Sequence, residues 1–175
     1  MATTAAGTPY VESSDLVANY PGVSLALANH IDTINIVLQV VSVTKINGFT
    51  SSSTSFVDVT DLSLTITPAS SSNKILVLAM ISISNALGNY NSGARVIRGA
   101  STVITGQTGG FGDIVNVGTR NGAAVFMHFD SPATTSATTY KIQVKNEGGS
   151  TSAATVNDLG LYITTSSFTV IEVAA

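Results

Sequence analysis

The 175-residue chain carries 7 Lys+Arg against 10 Asp+Glu, with 44% hydrophobic and only 10% charged residues; this excludes intrinsic disorder, which combines low hydrophobicity with high charge. No cluster of Lys or Arg supplies the counterion release that nucleic-acid binding relies on, and with no cysteine there is neither a disulfide framework nor a thiolate metal site. The longest apolar run, Ile75 to Ile81, is far below the roughly 20 residues of a membrane helix, and residues 1–20 lack the basic start and apolar stretch of an export signal, so neither membrane insertion nor export is expected. Ser and Thr make up about a quarter of the chain while Lys, Glu, Gln and Arg are scarce, which favours strands and turns.

Residues 1–20 are small and polar with no period of 2 or 3.6, and Pro9, Tyr10 and Tyr20 are their only rigid or bulky anchors. They read as an extended arm. From Pro21 the apolar residues Val23, Leu27, Ile31 and Ile34 recur at three- and four-residue spacing, with Leu25 and Ala28 widening the stripe, which predicts an amphipathic helix of about three turns. Pro21 suits its first turn, and the helix ends near Thr33 or Ile34. So short a helix is marginal alone in water and must dock on something.

From Ile36 nearly every segment reads as strand. Val37 to Lys45 is a long strand leading into Asn47-Gly48, the strongest two-residue hairpin signal. Phe56 to Val59 and Leu62 to Thr67 alternate as half-buried strands, and Lys74 to Ser84, mostly apolar, reads as a central strand. After the Asn/Gly-rich loop Asn85 to Gly93 come short candidates at Arg95 to Arg98, Thr102 to Thr105 and Ile114 to Val117. Asn121-Gly122 precedes Ala123 to Phe129, and Tyr140 to Lys145, Ala154 to Ile163 and Phe168 to Val173 complete the set. Eight to ten strands in about 140 residues are the range of an all-β, jelly-roll-like antiparallel β-sandwich, here with an extended N-terminal arm and one short helix. The expected division is an arm and helix over 1–35 and a sandwich over 36–175. An exposed apolar edge invites aggregation, so the last strand, with Ile171 and Val173, is expected to be central or buried between subunits.

Little in the chain points to chemistry. His30 and His128 have no third ligand at a metal-site spacing and read as structural. No Gly-x-Ser-x-Gly elbow accompanies the abundant serines. Gly109-Gly110-Phe111-Gly112 lacks the strand-helix context and Gly-Lys-Ser/Thr end of a phosphate loop. Asp58 and Asp61 read as turn caps rather than a calcium pair. Arg95, Arg98 and Arg120 are either surface charges or interface cations. Tyr90, between Asn89 and Asn91, has the composition of an adaptable contact loop.

The segments Val41-Ser42-Val43-Thr44-Lys45, Phe56-Val57-Asp58-Val59-Thr60, Leu62 to Pro68, Ser72 to Val77, Arg95-Val96-Ile97-Arg98-Gly99, Asp130 to Thr134, Thr139 to Val144 and Thr169 to Ala175 resemble a domain of virion proteins of tailed bacteriophages, often tail fibre or structural proteins of marine and cyanobacterial phages. The resemblance covers roughly residues 36–175. Asp15 to Asp32, with Pro21-Gly22-Val23 and Ala28-Asn29-His30-Ile31-Asp32, also looks like the amino-terminal attachment segment of such fibres. It implies a non-enzymatic virion component, without cofactor or metal, forming a homotrimer attached to a baseplate, neck or capsid protein through the arm. Tyr10, Tyr20, Val23, Leu27 and Ile31 would make the attachment, Ile171 and Val173 the trimer contact, and Tyr90, Asn91 and Phe111 a contact with a host surface glycan. Unlike a long fibre, the chain has one globular domain and no shaft repeats.

The first expectation is therefore a short trimeric tail fibre or fibre-tip protein on the outside of the virion. The alternative is a capsid decoration protein whose arm stitches capsid subunits together. A carbohydrate-degrading enzyme is the third reading, weakened by the absence of a flanking acid pair.

Overall fold

The computed structural model describes residues 2–3, 9–10, 25, 36–86, 91–100, 102–104, 114–115, 122–148, 152–157 and 164–175. The chain divides into two compact units, Met1–Ile36 and Val37–Ala175. In the first, β1 (Ala2–Thr3) pairs antiparallel with β2 (Pro9–Tyr10), so the arm is not simply extended but folds back on itself. Of the expected helix only Leu25 lies among the described residues, and it is helical and exposed.

The second unit is all-β: β3 (Val37–Lys45), β4 (Phe49–Ser51), β5 (Val57–Ile66), β6 (Lys74–Asn85), β7 (Asn91–Arg98), β8 (Thr102–Val103), β9 (Ile114–Val115), β10 (Gly122–Asp130), β11 (Thr138–Asn146), β12 (Ala154–Val156) and β13 (Ser166–Val173). One sheet runs β3-β13-β6-β12-β4, with β10 on the other edge of β6; the second runs β5-β11-β7-β8, with β9 also on β7. All pairings are antiparallel.

The registers simplify this list. β13 and β12 follow one another along the same edge of β6, with Ser167 opposite Met80 and Val156 opposite Ile83. β3 lies outside β13 and β4 outside β12, with Lys45 opposite Ser166 and Phe49 opposite Val156. β3 and β4 are thus one interrupted strand, as are β12 and β13. The sandwich is two sheets four strands wide, β3/β4-β13/β12-β6-β10 and β5-β11-β7-β8/β9. Successive strands cross repeatedly from one sheet to the other, and the resulting order is that of a jelly roll.

The Asn47-Gly48 hairpin does not form, because β3 finds its partner in the last strand and continues into β4 after a three-residue break. The break is held by Asn157, buried and in the left-handed region at φ 57. Its Nδ2 donates to the Lys45 carbonyl at 2.7 Å, its Oδ1 accepts from Ser166 Oγ at 2.7 Å, and its N–H donates to the Ser82 carbonyl at 3.1 Å. The two expected strands at 56–59 and 62–67 are one strand, β5. A left-handed Asp61 (φ 64) shifts its parity so that Val59 and Leu62 both point inward, opposite a register shift in β11 between Lys141 and Gln143. Asp carries such a conformation more readily than most residues.

The core lies between the sheets: Leu62, Ile66 and Ile142 from one side, Ile75, Val77, Ile81, Phe168 and Val170 from the other, all under 2% exposed. The alternation of β11 and β13, buried at every second residue, is what a strand with one face in the core dictates. Burying such side chains contributes on the order of 1.5–3 kcal/mol each.

Candidate functional site

Val37 and Lys74 lie at the same end of the first sheet as Val173 and Asp130, and Ile66, Arg98 and Thr138 mark that end of the second. We call this the root pole, since the first residue of the domain is there. Its turns are clamped by buried polar groups. Glu172, fully buried, accepts from Ala69 N at 2.7 Å, Asn73 Nδ2 at 2.6 Å and Gln39 Nε2 at 2.6 Å, which pins the crossing between the sheets. Arg98 Nη1 donates to both carboxylate oxygens of Asp130 at 2.7 Å, and the buried Tyr140 hydroxyl donates to the same group at 2.7 Å. Burial, then the Asp130 carboxylate, pushes the Tyr140 phenol far above its ordinary range, so it stays a donor. A polar pocket of about 330 Å³ opens above Arg98, bordered by Gly99, Thr102, Thr134 and Thr139.

The opposite end is the loop pole. The strand ends that bracket residues 87–90, 116–121 and 149–151 all lie there. Beneath them sits a network the sequence reading missed. Asn85 Nδ2 donates to the Asn91 carbonyl at 3.2 Å, Ser92 Oγ at 3.2 Å and Asn146 Oδ1 at 3.1 Å, while Ser152 Oγ donates to Asn85 Oδ1. Asn146 Nδ2 donates to the Ser152 carbonyl at 3.0 Å. Asn85, Ser92, Asn146 and Ser152 are all buried, and buried polar groups hold only when paired. The signal was available, since each falls at an inward position of its strand or turn where an apolar residue would be expected.

Of the residues expected to contact a host, Asn91 is half-buried at this pole and its carbonyl accepts from Asn85 and from Glu147 N. Tyr90 and Phe111 lie outside the described residues. So do Tyr20, Val23, Leu27 and Ile31 of the expected attachment segment; Tyr10 lies on β2. Ile171 and Val173 lie half-buried on β13, which is central, between β3 and β6.

The two outer faces of the sandwich differ sharply. Outside the second sheet, charges are paired: Lys141 with Asp58 at 2.8 Å, Lys145 with Glu147 at 2.6 Å, and Arg95 bonded to Gln143 at 2.8 Å and stacked over Phe56 at 4.0 Å. Asp58 is therefore not a turn cap; hydrogen bonds from Lys141 and Gln143 hold its carboxyl below the usual range. Asp61 pairs instead with the buried Lys45 at 3.4 Å. Outside the first sheet the surface is apolar. Val125, Met127 and Phe129 of β10 are 70%, 71% and 57% exposed, and they stand opposite Met80, Leu78 and Leu76 of β6. The register continues Leu76 to Ile171 and Ile171 to Val40, giving an apolar row across all four strands. A groove of about 420 Å³ runs beside it between Met80, Val125 and Thr169.

Among the described residues no three His, Cys, Asp or Glu side chains are grouped to hold a metal ion, and no helix is long and apolar enough to cross a membrane. His128 lies exposed on β10, stacked on Phe126 at 5.9 Å; His30 and Arg120 lie outside the described residues.

No protein-family model matches the chain, and no curated protein matches it. Among solved structures, the chain is similar over 78% of its length to a chain in the 2.6 Å structure of infectious bursal virus derived T=1 particles, at 13% identity and a TM-score of 0.44. A chain in the structure of the infectious bursal disease virus Gx strain is similar over the same share, at 15% identity and a TM-score of 0.42. The chain spans 36% and 37% of the length of those two chains.

Proposed function

We propose that this protein is a non-enzymatic structural component of a bacteriophage virion: a short homotrimeric tail fibre or fibre-tip protein, attached by residues 1–35 to a baseplate or neck protein. The observation that carries the reading is the polarity of the jelly roll. The domain begins at the root pole, where turns are short and clamped, and its Asn- and Gly-rich loops spring from the opposite pole over a buried polar base. A particle-bound protein needs that arrangement, with attachment at one end and contact at the other. Weak glycan contacts at Tyr90, Asn91 and Phe111, repeated over several copies, would give avidity without a deep pocket. Ile171 and Val173 belong to the contact between copies.

Deleting residues 1–35 tests the attachment. We expect residues 36–175 to remain folded, with a cooperative melt, but to be missing from purified particles. Normal incorporation of the shortened chain would remove the arm from the account.

A further inference from the structure

The outer face of the β3-β13-β6-β10 sheet is the least water-adapted surface among the described residues. Val37, Val40, Met80, Val125, Met127 and Phe129 are each between 48% and 71% exposed on it. At about 100 Å² for each such side chain, they offer on the order of 600 Å², at the top of the range of the largest patch on a typical monomer and approaching the roughly 800 Å² per partner of a stable interface. The half-buried Leu76, Leu78 and Ile171 fill the rows between them.

We propose that copies of this chain pack on one another through this face. The inference rests on the homo-oligomer in the function proposed above and names the surface that builds it. Charge selects the partner. The chain is net -3, so two copies meet most easily on a surface with no charge, and among the described residues the only charged side chain bordering these rows is Lys74, which is bonded to Ser131 Oγ at 2.7 Å. The same neutrality disfavours an anionic lipid surface, and the apolar rows offer a sugar no hydrogen-bonding groups, while the neighbouring hydroxyls of Ser42 and Thr169 bond to each other at 2.8 Å. The ion-paired outer face of the second sheet is the one that stays in water. Among the described residues β10 pairs only with β6, so this apolar strand is also an edge, which a neighbouring copy would cover.

The test uses the full-length chain, its mass in solution by light scattering, and the oxidation of Met80 and Met127 by dilute peroxide read by mass spectrometry. The parent should run as an oligomer. Val125→Asp and Met127→Glu, at positions that a single copy leaves exposed, should each run as one copy that still melts cooperatively, while Thr60→Glu on the second sheet keeps the parent's mass. Met80 in both variants, and Met127 in Val125→Asp, should oxidise at least about tenfold faster than in the parent. An oligomeric parent whose mass survives both substitutions would place the contact elsewhere and overturn this inference alone. A parent that runs as one copy would overturn the oligomer as well, and protected methionines in that single copy would mean that the chain covers its own face.

Discussion

Glu172 shows how a single buried group can be read for its role. It sits at an inward position of a central strand, where a leucine would bury well, yet three N–H donors from two other segments converge on it. Glu172→Leu should therefore destabilise the domain by about 3 kcal/mol or more despite the added hydrophobicity, because the stranded donors carry their full desolvation cost. Glu172→Gln keeps one acceptor oxygen and should cost less, on the order of 1 kcal/mol; urea denaturation gives both values, and equal costs would remove the clamp. Asp58 carries a pH signature of the opposite, solvent-exposed kind. Its carboxyl is held below the usual range, so its folded pKa lies under the unfolded one, and its contribution is complete above the carboxylate range and fades as pH falls. The stability gap between parent and Asp58→Asn, under about 1 kcal/mol for a half-exposed pair, should be open at neutral pH and close toward about pH 2. A gap independent of pH would mean that Lys141 and Gln143 do not hold the carboxylate.

At the scale of elements, strands with one face in the core were legible from sequence. β6, β11 and β13 alternate or run apolar over lengths that leave no other reading, and the central place of β13 follows from its hydrophobicity. Pairing was not legible where a local signal competed with a distant one. Asn47-Gly48 is a hairpin signal, but β3 gains more by pairing eight of its residues along β13 than a two-residue turn could offer. Neither Asn47 nor Gly48 has a positive φ, and both are exposed. Asn47→Ala and Gly48→Ala should each change stability by less than about 1 kcal/mol, where a type I′ turn would lose considerably more. Thermal melts decide it, and a large loss from either would reinstate the hairpin. The buried network of Asn85, Ser92, Asn146 and Ser152 was missed for a related reason, since its members lie far apart in sequence and meet only once the strands are stacked.

For the whole molecule, the sandwich has two kinds of asymmetry. Along the strands, a clamped root pole faces a pole of Asn- and Gly-rich loops. Across the sheets, an ion-paired face opposes an apolar one. In the function proposed above, the first would orient the domain on the particle and the second would assemble its copies. The candidate site was only partly legible in sequence: composition pointed to the loops around Asn91, but the apolar face emerges only when β10 is laid against β6 and Phe129, Leu76, Ile171 and Val40 fall into one row. The central claim, that this is a virion component of the tail, is tested most directly by immunogold labelling of intact particles with antibody to residues 36–175. We expect label confined to the tail end. Label spread evenly over the head would make it a decoration protein, and particles without label would contradict the claim altogether.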